Sequence, residues 1–428
     1  MANGATMRNA RRTLVLVLLM LVMVISVMDK TIFAFAGAQI IDELKLTPSE
    51  FGFIGSAFFF LYSISGVLVG FLANRFPTRW ILFGMSLVWM LAQLLVSFSS
   101  GFAALVASRL LLGAGTGPGT AVTQHAVFKW FGPRERVLPA SLIQVSIMLG
   151  AVLGALTLPL AIQHLGWRMA YLALALIGLL WMLAWLAFGR EGSHAEVDGK
   201  ESGQRLPYRR LLLNRTFLWI TLLGFLGYLP NALVYSWVPV YLQKGLGMTP
   251  LQSGYTVMAA TLGVIVFNLG VSAWSQRLLK RGVPLQTALV RLPVVCAILA
   301  GAAFVGLGGF HGNLPAVIGL YLAGCVLINL LPTFCNTIVA HIAPPAQRGS
   351  MLAIHIGGLT SAGMLAPWLI GQLVEHKGGN IAQGFELGLG LIGAAVILCA
   401  LLGLRLIAPE RTRQALHGSA ATDLPATA

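Results

Sequence analysis

Long apolar runs separated by short polar turns set the pattern of this chain from end to end. Crossing a bilayer takes about 20 residues. Runs of that length fall at 13–37, 51–73, 79–98, 101–128, 138–162, 166–189, 215–243, 252–275, 285–308, 314–340, 350–373 and 382–407. They predict twelve membrane-spanning helices. The pattern breaks once near the middle, where REGSHAEVDGKESGQRLPYRRLL at 190–212 is polar and charged. The division that follows is an N-terminal six-helix half over 1–189, a cytoplasmic central loop over 190–212, a C-terminal six-helix half over 213–408 and a cytoplasmic tail over 409–428. The tail is rich in Ala, Thr and Pro, and this predicts disorder. The fold class is an all-α membrane protein.

Composition narrows the reading. The 428 residues are 57% hydrophobic and 10% charged. Soluble domains carry about 25% charged residues, so soluble-enzyme classes are excluded. The net charge of +15 would suggest nucleic acid in a soluble protein, but here its placement explains it. The N-terminus, alternate loops, central loop and tail hold most of the Arg and Lys, while the other loops hold only Lys45, Arg168, Lys244 and Lys377. The positive-inside rule then puts both termini in the cytoplasm, and no nucleic-acid partner is needed. Cys296, Cys325, Cys335 and Cys399 lie in apolar runs without metal-ligand spacing and are expected to be small packing residues. Arg8, Arg11 and Arg12 before an apolar run, with Ala34-Phe35-Ala36 after it, mimic a signal peptide. That run is too long for one and is interrupted by Asp29-Lys30, so it is read as a retained first span.

Charge inside the membrane is costly, roughly 2.5–3.5 kcal/mol per residue on insertion scales. Away from span ends the charged residues are Asp29, Lys30 and Arg109. Asp29 lies about eight residues from the outer end of the first span, and Arg109 about eight from the outer end of the fourth. At 1.5 Å per residue both are about 12 Å deep, within reach of each other. Arg109 and Lys30 are expected to bind the anionic head of a substrate and Asp29 to carry a coupled proton; a fixed Asp29–Arg109 pair that only positions two helices is the competing reading. In the seventh span Tyr228, Asn231 and Tyr235 recur at helical spacing and are candidates for the far end of the substrate, against ordinary packing or an interfacial belt. His355 in the eleventh span is a candidate substrate contact, against a satisfied structural histidine. Gly66 with Gly70 and Gly150 with Gly154 read as close helix packing.

An internal repeat appears at GFLANRFPTR (70–79) after the second span and GVSAWSQRLLKRG (270–282) after the eighth. Gly70, Asn74, Arg75 and Arg79 form a candidate gating turn. GFLANRFPTR resembles the signature loop of the major facilitator superfamily. Within that superfamily VMDK (27–30), FGFIGSAFFFLYSISG (51–66), RLLLGAGTGPG (109–119), WFGPRER (130–136), GWR (166–168), WVPVYL (237–242) and APWLIG (366–371) resemble landmarks of the anion:cation symporters. The resemblance implies two six-helix halves with the substrate site between them. It also implies uptake of a small organic anion (sugar acid, hydroxy acid or aromatic carboxylate) with a proton. Tyr62 falls where that family has a Tyr and joins the substrate candidates.

The departures are Asn74 for the loop acid, Pro77 for its Gly, Gln276 in the second copy, Lys30 for Arg and Thr116 for a second proton-linked carboxylate. The expected partners are the anion, the proton and the lipid bilayer of a bacterial-type inner membrane, with the protein a monomer. No cofactor or metal is implied, and no enzyme: GAGTGPG lacks a P-loop Lys and lies within a span. The alternative is an exporter or antiporter of drugs or metabolites on the same fold. The absence of Gly-Pro-x-x-Gly from span five argues against drug efflux. A transport-dead sensor would need an added soluble domain.

Overall fold

The computed structural model of the protein describes residues 2–72, 76–132, 135–192 and 206–422, and among them every regular element is helical. The N-terminal part contains α1 (Ala2–Leu44), α2 (Pro48–Leu72), α3 (Thr78–Ser97), α4 (Phe102–Thr116), α5 (Gly119–Trp130), α6 (Val137–Leu165) and α7 (Trp167–Phe188). After a short α8 (Tyr208–Leu212) come α9 (Arg215–Leu233), α10 (Trp237–Val240), α11 (Pro250–Lys280), α12 (Leu292–Gly306), α13 (Leu314–Ile328), α14 (Leu330–Ile342), α15 (Arg348–Thr360), α16 (Ala362–His376), α17 (Ile381–Leu406) and α18 (Pro409–Thr422).

Among the described residues, eleven segments are long and apolar enough to cross a membrane. The remaining predicted span, 101–128, is interrupted at Gly117-Pro118, between α4 and α5. Pro118 brings no N–H to continue the ladder. The chain is an all-α membrane protein.

Two compact units emerge. The first joins Met1–Asp198 with Leu233–Thr261 and Gly363–Ala382; the second holds Gly199–Ala232, Leu262–Ala362 and Gln383–Ala428. This differs from a simple cut at 190–212, and the reason is local. In the first unit α2 and α16 touch backbone to backbone at glycines. A Cβ on Gly52 would lie 2.4 Å from the Pro367 carbonyl oxygen, and one on Gly371 2.5 Å from that of Pro48. Trp237 Nε1 donates to the Pro367 carbonyl (2.8 Å), and the Trp368 N–H donates to Ser56 Oγ (3.0 Å). The Phe51 ring stacks on Phe33 and meets the edge of Trp237.

Small residues set the other helix approaches of this unit. The pair Gly150 and Gly154 does what its spacing predicted: Cβ atoms there would come within 2.8 Å of the Val24 carbonyl oxygen and 3.2 Å of Thr31 Oγ1, which seats α6 on α1. Gly113 lets α4 lie on α2, since its Cβ would fall 2.1 Å from the Phe58 carbonyl oxygen. Backbone atoms cannot rotate aside, so Gly113→Ala is expected to destabilise the protein by roughly 1–3 kcal/mol, as overpacking does. Thermal unfolding of the purified variant checks this, and an unchanged midpoint would refute it.

The first helix overruns its predicted end at Gly37 and continues to Leu44. Its last turns are held by polar contacts. Glu43 accepts from Trp167 Nε1 (2.5 Å) and pairs with Arg168, and Asp42 pairs with Lys244. Two of the four cations expected in the outer loops are thus matched by acids of one helix end. Depth counted from Gly37 therefore does not apply to Asp29.

The tail also departs from expectation, being helical as α18 over Pro409–Thr422. Pro409 opens it, Glu410 suits its first turn, and Thr412 Oγ1 shares a 2.6 Å hydrogen bond with Thr216 Oγ1. Leu416 is buried. The four cysteines are buried and unpaired.

Candidate substrate and coupling site

The three charges that the sequence places away from span ends belong to two helices of the first unit. Asp29 and Lys30 lie on α1, and Phe33 follows Asp29 by one turn. Arg109, on α4, places its guanidinium carbon 4.0 Å from the centroid of the Phe33 ring. That contact sets the Arg109 guanidinium against the turn of α1 that follows Asp29, although the count from the helix ends fails. Gly113, one turn past Arg109, is the residue that holds α4 against α2 and so brings Tyr62 beside the charges.

Asp29 and Arg109 do not form an ion pair within 4.0 Å; each is held by a neutral partner. Gln93 Nε2 donates to Asp29 Oδ1 at 2.6 Å, with both residues buried. Arg109 Nη2 donates to Tyr171 Oη at 3.0 Å. The competing reading of a fixed Asp29–Arg109 pair is not what the structure holds. Lys30 is half-buried, and its ammonium has no hydrogen-bond or ion-pair acceptor among the described residues. It lies 5.9 Å from the centroid of the Tyr62 ring. Tyr62 packs on Phe58 and Phe59, and Phe59 packs on Tyr235 (6.2 Å). Lys30, Tyr62 and Tyr235 are therefore joined by one aromatic cluster. Thr116 donates its hydroxyl to the Leu112 carbonyl at 2.7 Å within its own helix.

Tyr235 corrects a prediction. It does not share a helix face with Tyr228 and Asn231, because α9 ends at Leu233 and Tyr235 stands in the turn before α10. Pro230 removes one hydrogen bond from the last turn of α9, and Ser236, at φ −147° and ψ −77°, leaves helical geometry. In the second unit Tyr228 is half-buried, and Asn231 Nδ2 donates to its own helix at the Gly227 carbonyl (3.4 Å). His355 is fully buried. Its Nδ1 is 2.9 Å from Thr221 Oγ1, its ring meets the edge of Phe217, and its Nε2 has no partner among the described residues.

Of the gating turn, Asn74 and Arg75 lie outside the described residues, and of Gly70 only the helical backbone is described. Arg79 is placed. Its Nη2 donates to the Leu186 carbonyl (2.7 Å), and its own carbonyl accepts from Trp185 Nε1 (3.0 Å). Beside it stands a residue the sequence did not single out, Glu191, whose carboxylate caps the N-terminus of α3. It accepts from the N–H groups of Thr78 and Arg79 (both 3.1 Å) and from Lys129 Nζ (2.6 Å).

Burial disfavours the charged form of Glu191, but the bonds from Lys129 and from the Arg79 and Thr78 amides outweigh it and hold the carboxyl below its ordinary value. A depressed carboxyl adds stability above its ordinary value of 4.5 that is lost as pH falls through the lower folded value. Glu191→Gln is expected to cost about 1 kcal/mol at neutral pH, allowing for the partial exposure of the site. The gap to wild type closes as the solution is acidified below pH 4.5. Thermal unfolding across a pH series from neutral to strongly acidic checks this; a gap independent of pH would refute it.

Gln93 and Tyr171 were also missed. Their signals were weak: a single amide in the apolar run 79–98, and a tyrosine one turn beyond Trp167. Glu386 was missed too. It is buried near the start of α17 and pairs with His311 Nδ1 (2.9 Å).

A bundle of membrane-spanning helices that keeps an acid and two cations in its interior is the build of a transporter. The chain belongs to the Major Facilitator Superfamily, whose family model matches residues 19–333. It is 24% identical over 410 residues to a hexuronate transporter of Bacillus subtilis, covering 92% of this chain and 94% of the relative. It is 26% identical over 421 residues to a D-galactonate transporter of Escherichia coli, covering 91% and 96%. In fold it is similar to a bacterial homologue of the human lysosomal transporter Spinster (TM-score 0.76, 15% identity, covering 95% of this chain and 98% of that one).

Proposed function

We propose that the protein is a proton-coupled importer of a small organic anion, working by alternating access. It acts as a monomer in a bacterial-type inner membrane with both termini cytoplasmic. Among the three classes open on sequence, sugar acids stand first, because the relatives named for hexuronate and D-galactonate match nearly the whole chain. The observation that carries the reading is the unequal partnering of the buried charges. Lys30 has no acceptor among the described residues, and Arg109 is held by a neutral acceptor, Tyr171, that an incoming carboxylate can replace, while Asp29 takes its bond from a neutral donor, Gln93. Arg109 supplies a planar, permanently charged fork for a carboxylate and Lys30 a second point charge. Asp29 exchanges a proton as these neighbours change partner. Tyr62 and Tyr235 offer hydroxyls and ring faces to a polyhydroxylated chain. Tyr228, Asn231 and His355 are assigned to the substrate's far end, and Gly70, Asn74, Arg75 and Arg79 to gating. Such a protein moves its substrate unchanged and is no enzyme.

The test is uptake of labelled hexuronate and D-galactonate into proteoliposomes under an imposed pH gradient. Concentrative uptake with the interior alkaline is expected, and accumulation only of drugs or only by exchange with an internal substrate would overturn the reading.

Thr116 sharpens the stoichiometry. Its hydroxyl is buried and satisfied within α4, so it offers no second proton site. One proton then accompanies one monoanion, and transport is electroneutral. Uptake at constant pH is expected to be insensitive to a potential set with potassium and valinomycin. A several-fold response would refute one-proton coupling.

A further inference from the structure

The second unit carries a basic cleft that contains none of the candidate substrate or coupling residues. The short α8 leads into α9, and α18 lies beside both. The walls are tied together, since Thr216 Oγ1 bonds Thr412 Oγ1 at 2.6 Å and also accepts from the Ala408 N–H at 3.2 Å. Between them opens a cleft of about 500 Å³ lined by Arg209, Arg210, Leu213, Asn214, Ala415 and Leu416. Both arginines are exposed, Arg210 has an interaction of its own besides, and no acid is among the described residues that line the cleft. The flanking segments 206–216 and 405–416 add Arg215, Arg405, Arg411 and Arg413 against a single acid, Glu410.

Position and polarity narrow the occupant. The spanning part of α9 begins at Arg215 and that of α17 ends at Leu406. The cleft therefore lies at the level where two spans leave the apolar layer, which is the headgroup level of a bilayer. Beside the arginines Leu213 is 60% exposed and Tyr208 45% exposed. Bare apolar side chains next to guanidinium groups suit the boundary between acyl chains and phosphate better than open water. Arginine forks match phosphate oxygens bidentately and stay charged at every physiological pH.

We infer that this cleft is a binding site for the headgroup of an anionic phospholipid, with Arg209 and Arg210 on the phosphate and Leu213 against the upper acyl chain. In the orientation proposed above that lipid belongs to the cytoplasmic leaflet. The site pins α18 to the membrane surface.

Full-length protein in neutral detergent tests this, titrated separately with phosphatidylglycerol, phosphatidylcholine and inorganic phosphate. Bound lipid is counted by native mass spectrometry and protection read from thermal unfolding. Phosphatidylglycerol is expected to bind in preference to phosphatidylcholine. The double variant Arg209→Gln/Arg210→Gln is expected to bind it roughly 10- to 30-fold more weakly, about one factor of five per arginine. Arg277→Gln/Arg281→Gln removes the same charge from another exposed turn and is expected to bind as wild type. Leu213→Asp keeps both arginines and is expected to weaken lipid binding without changing phosphate binding. Equal binding of the two lipids would overturn the assignment, as would equal loss in both double variants. Saturation of the same protection by inorganic phosphate alone would identify a free-anion site and overturn the lipid reading.

Discussion

Asp29→Asn is expected to abolish concentration of substrate by a pH gradient while leaving exchange of substrate across the membrane intact. The substitution is close to isosteric. The amide that replaces the carboxylate would still offer an oxygen to Gln93 Nε2, which now reaches Asp29 Oδ1 at 2.6 Å. What the change removes is the negative charge and the ability to release a proton. An electroneutral one-proton symporter concentrates a monoanion about tenfold per pH unit. Proteoliposomes with a gradient of about two units should therefore drive wild type towards roughly a hundredfold accumulation. The variant should stop at equal concentrations inside and out. Counterflow, in which labelled substrate enters against unlabelled substrate already inside, measures the carrier without its coupling and should persist. Undiminished accumulation by Asp29→Asn would remove Asp29 from coupling and take from the symport reading the one acid it assigns to the proton. Gln93→Leu separates geometry from charge. It leaves the acid but takes its donor, at a cost of roughly 1–3 kcal/mol for an unmet buried partner, so it should lower both accumulation and thermal stability.

What could be read from the chain was set by the length scale of each signal. The spans were legible because each is a property of about 20 residues taken together. What was not legible within 101–128 is the helix break at a single dipeptide, Gly117-Pro118, too small to register in a run of that length. Asp29, Lys30 and Arg109 were legible because charge in an apolar run is costly. Their partners were not. Gln93 and Tyr171 are ordinary residues in their own spans and gain meaning only through contacts 64 and 62 positions away in sequence. The error over Tyr235 had a similar root: regular spacing suggested one face, while Pro230 and the geometry at Ser236 ended the helix first. Glu191 sat in a stretch read as polar linker, and only the fold shows it capping α3. The helix in the tail was not legible because composition ignores the start at Pro409-Glu410, the bond between Thr412 and Thr216 and the burial of Leu416.

Arg109→Ala is expected to eliminate substrate binding, not merely to weaken the fold, and the two effects are separable. The guanidinium lies over the Phe33 ring and donates to Tyr171. Truncation therefore strips a cation from the site and leaves a buried tyrosine hydroxyl without its partner. Losing one side of a buried, hydrogen-bonded charge contact costs roughly 2–5 kcal/mol, equivalent to roughly 30- to 3,000-fold in affinity. Arg109→Lys keeps the charge but loses the planar fork and the stack on Phe33. It should transport with affinity reduced roughly tenfold, about one charge-assisted hydrogen bond. Tyr171→Phe frees the guanidinium without touching its charge, so any loss there measures orientation alone. The decisive measurement is the substrate-induced shift in thermal unfolding midpoint for each variant. If Arg109 binds the anion, Arg109→Ala loses that shift whatever its own midpoint, and Arg109→Lys keeps part of it. If Arg109 only braces α1 against α4 and α7, Arg109→Ala unfolds at a lower temperature yet still responds to substrate. The substrate's carboxylate would then belong to Lys30 and its aromatic neighbours.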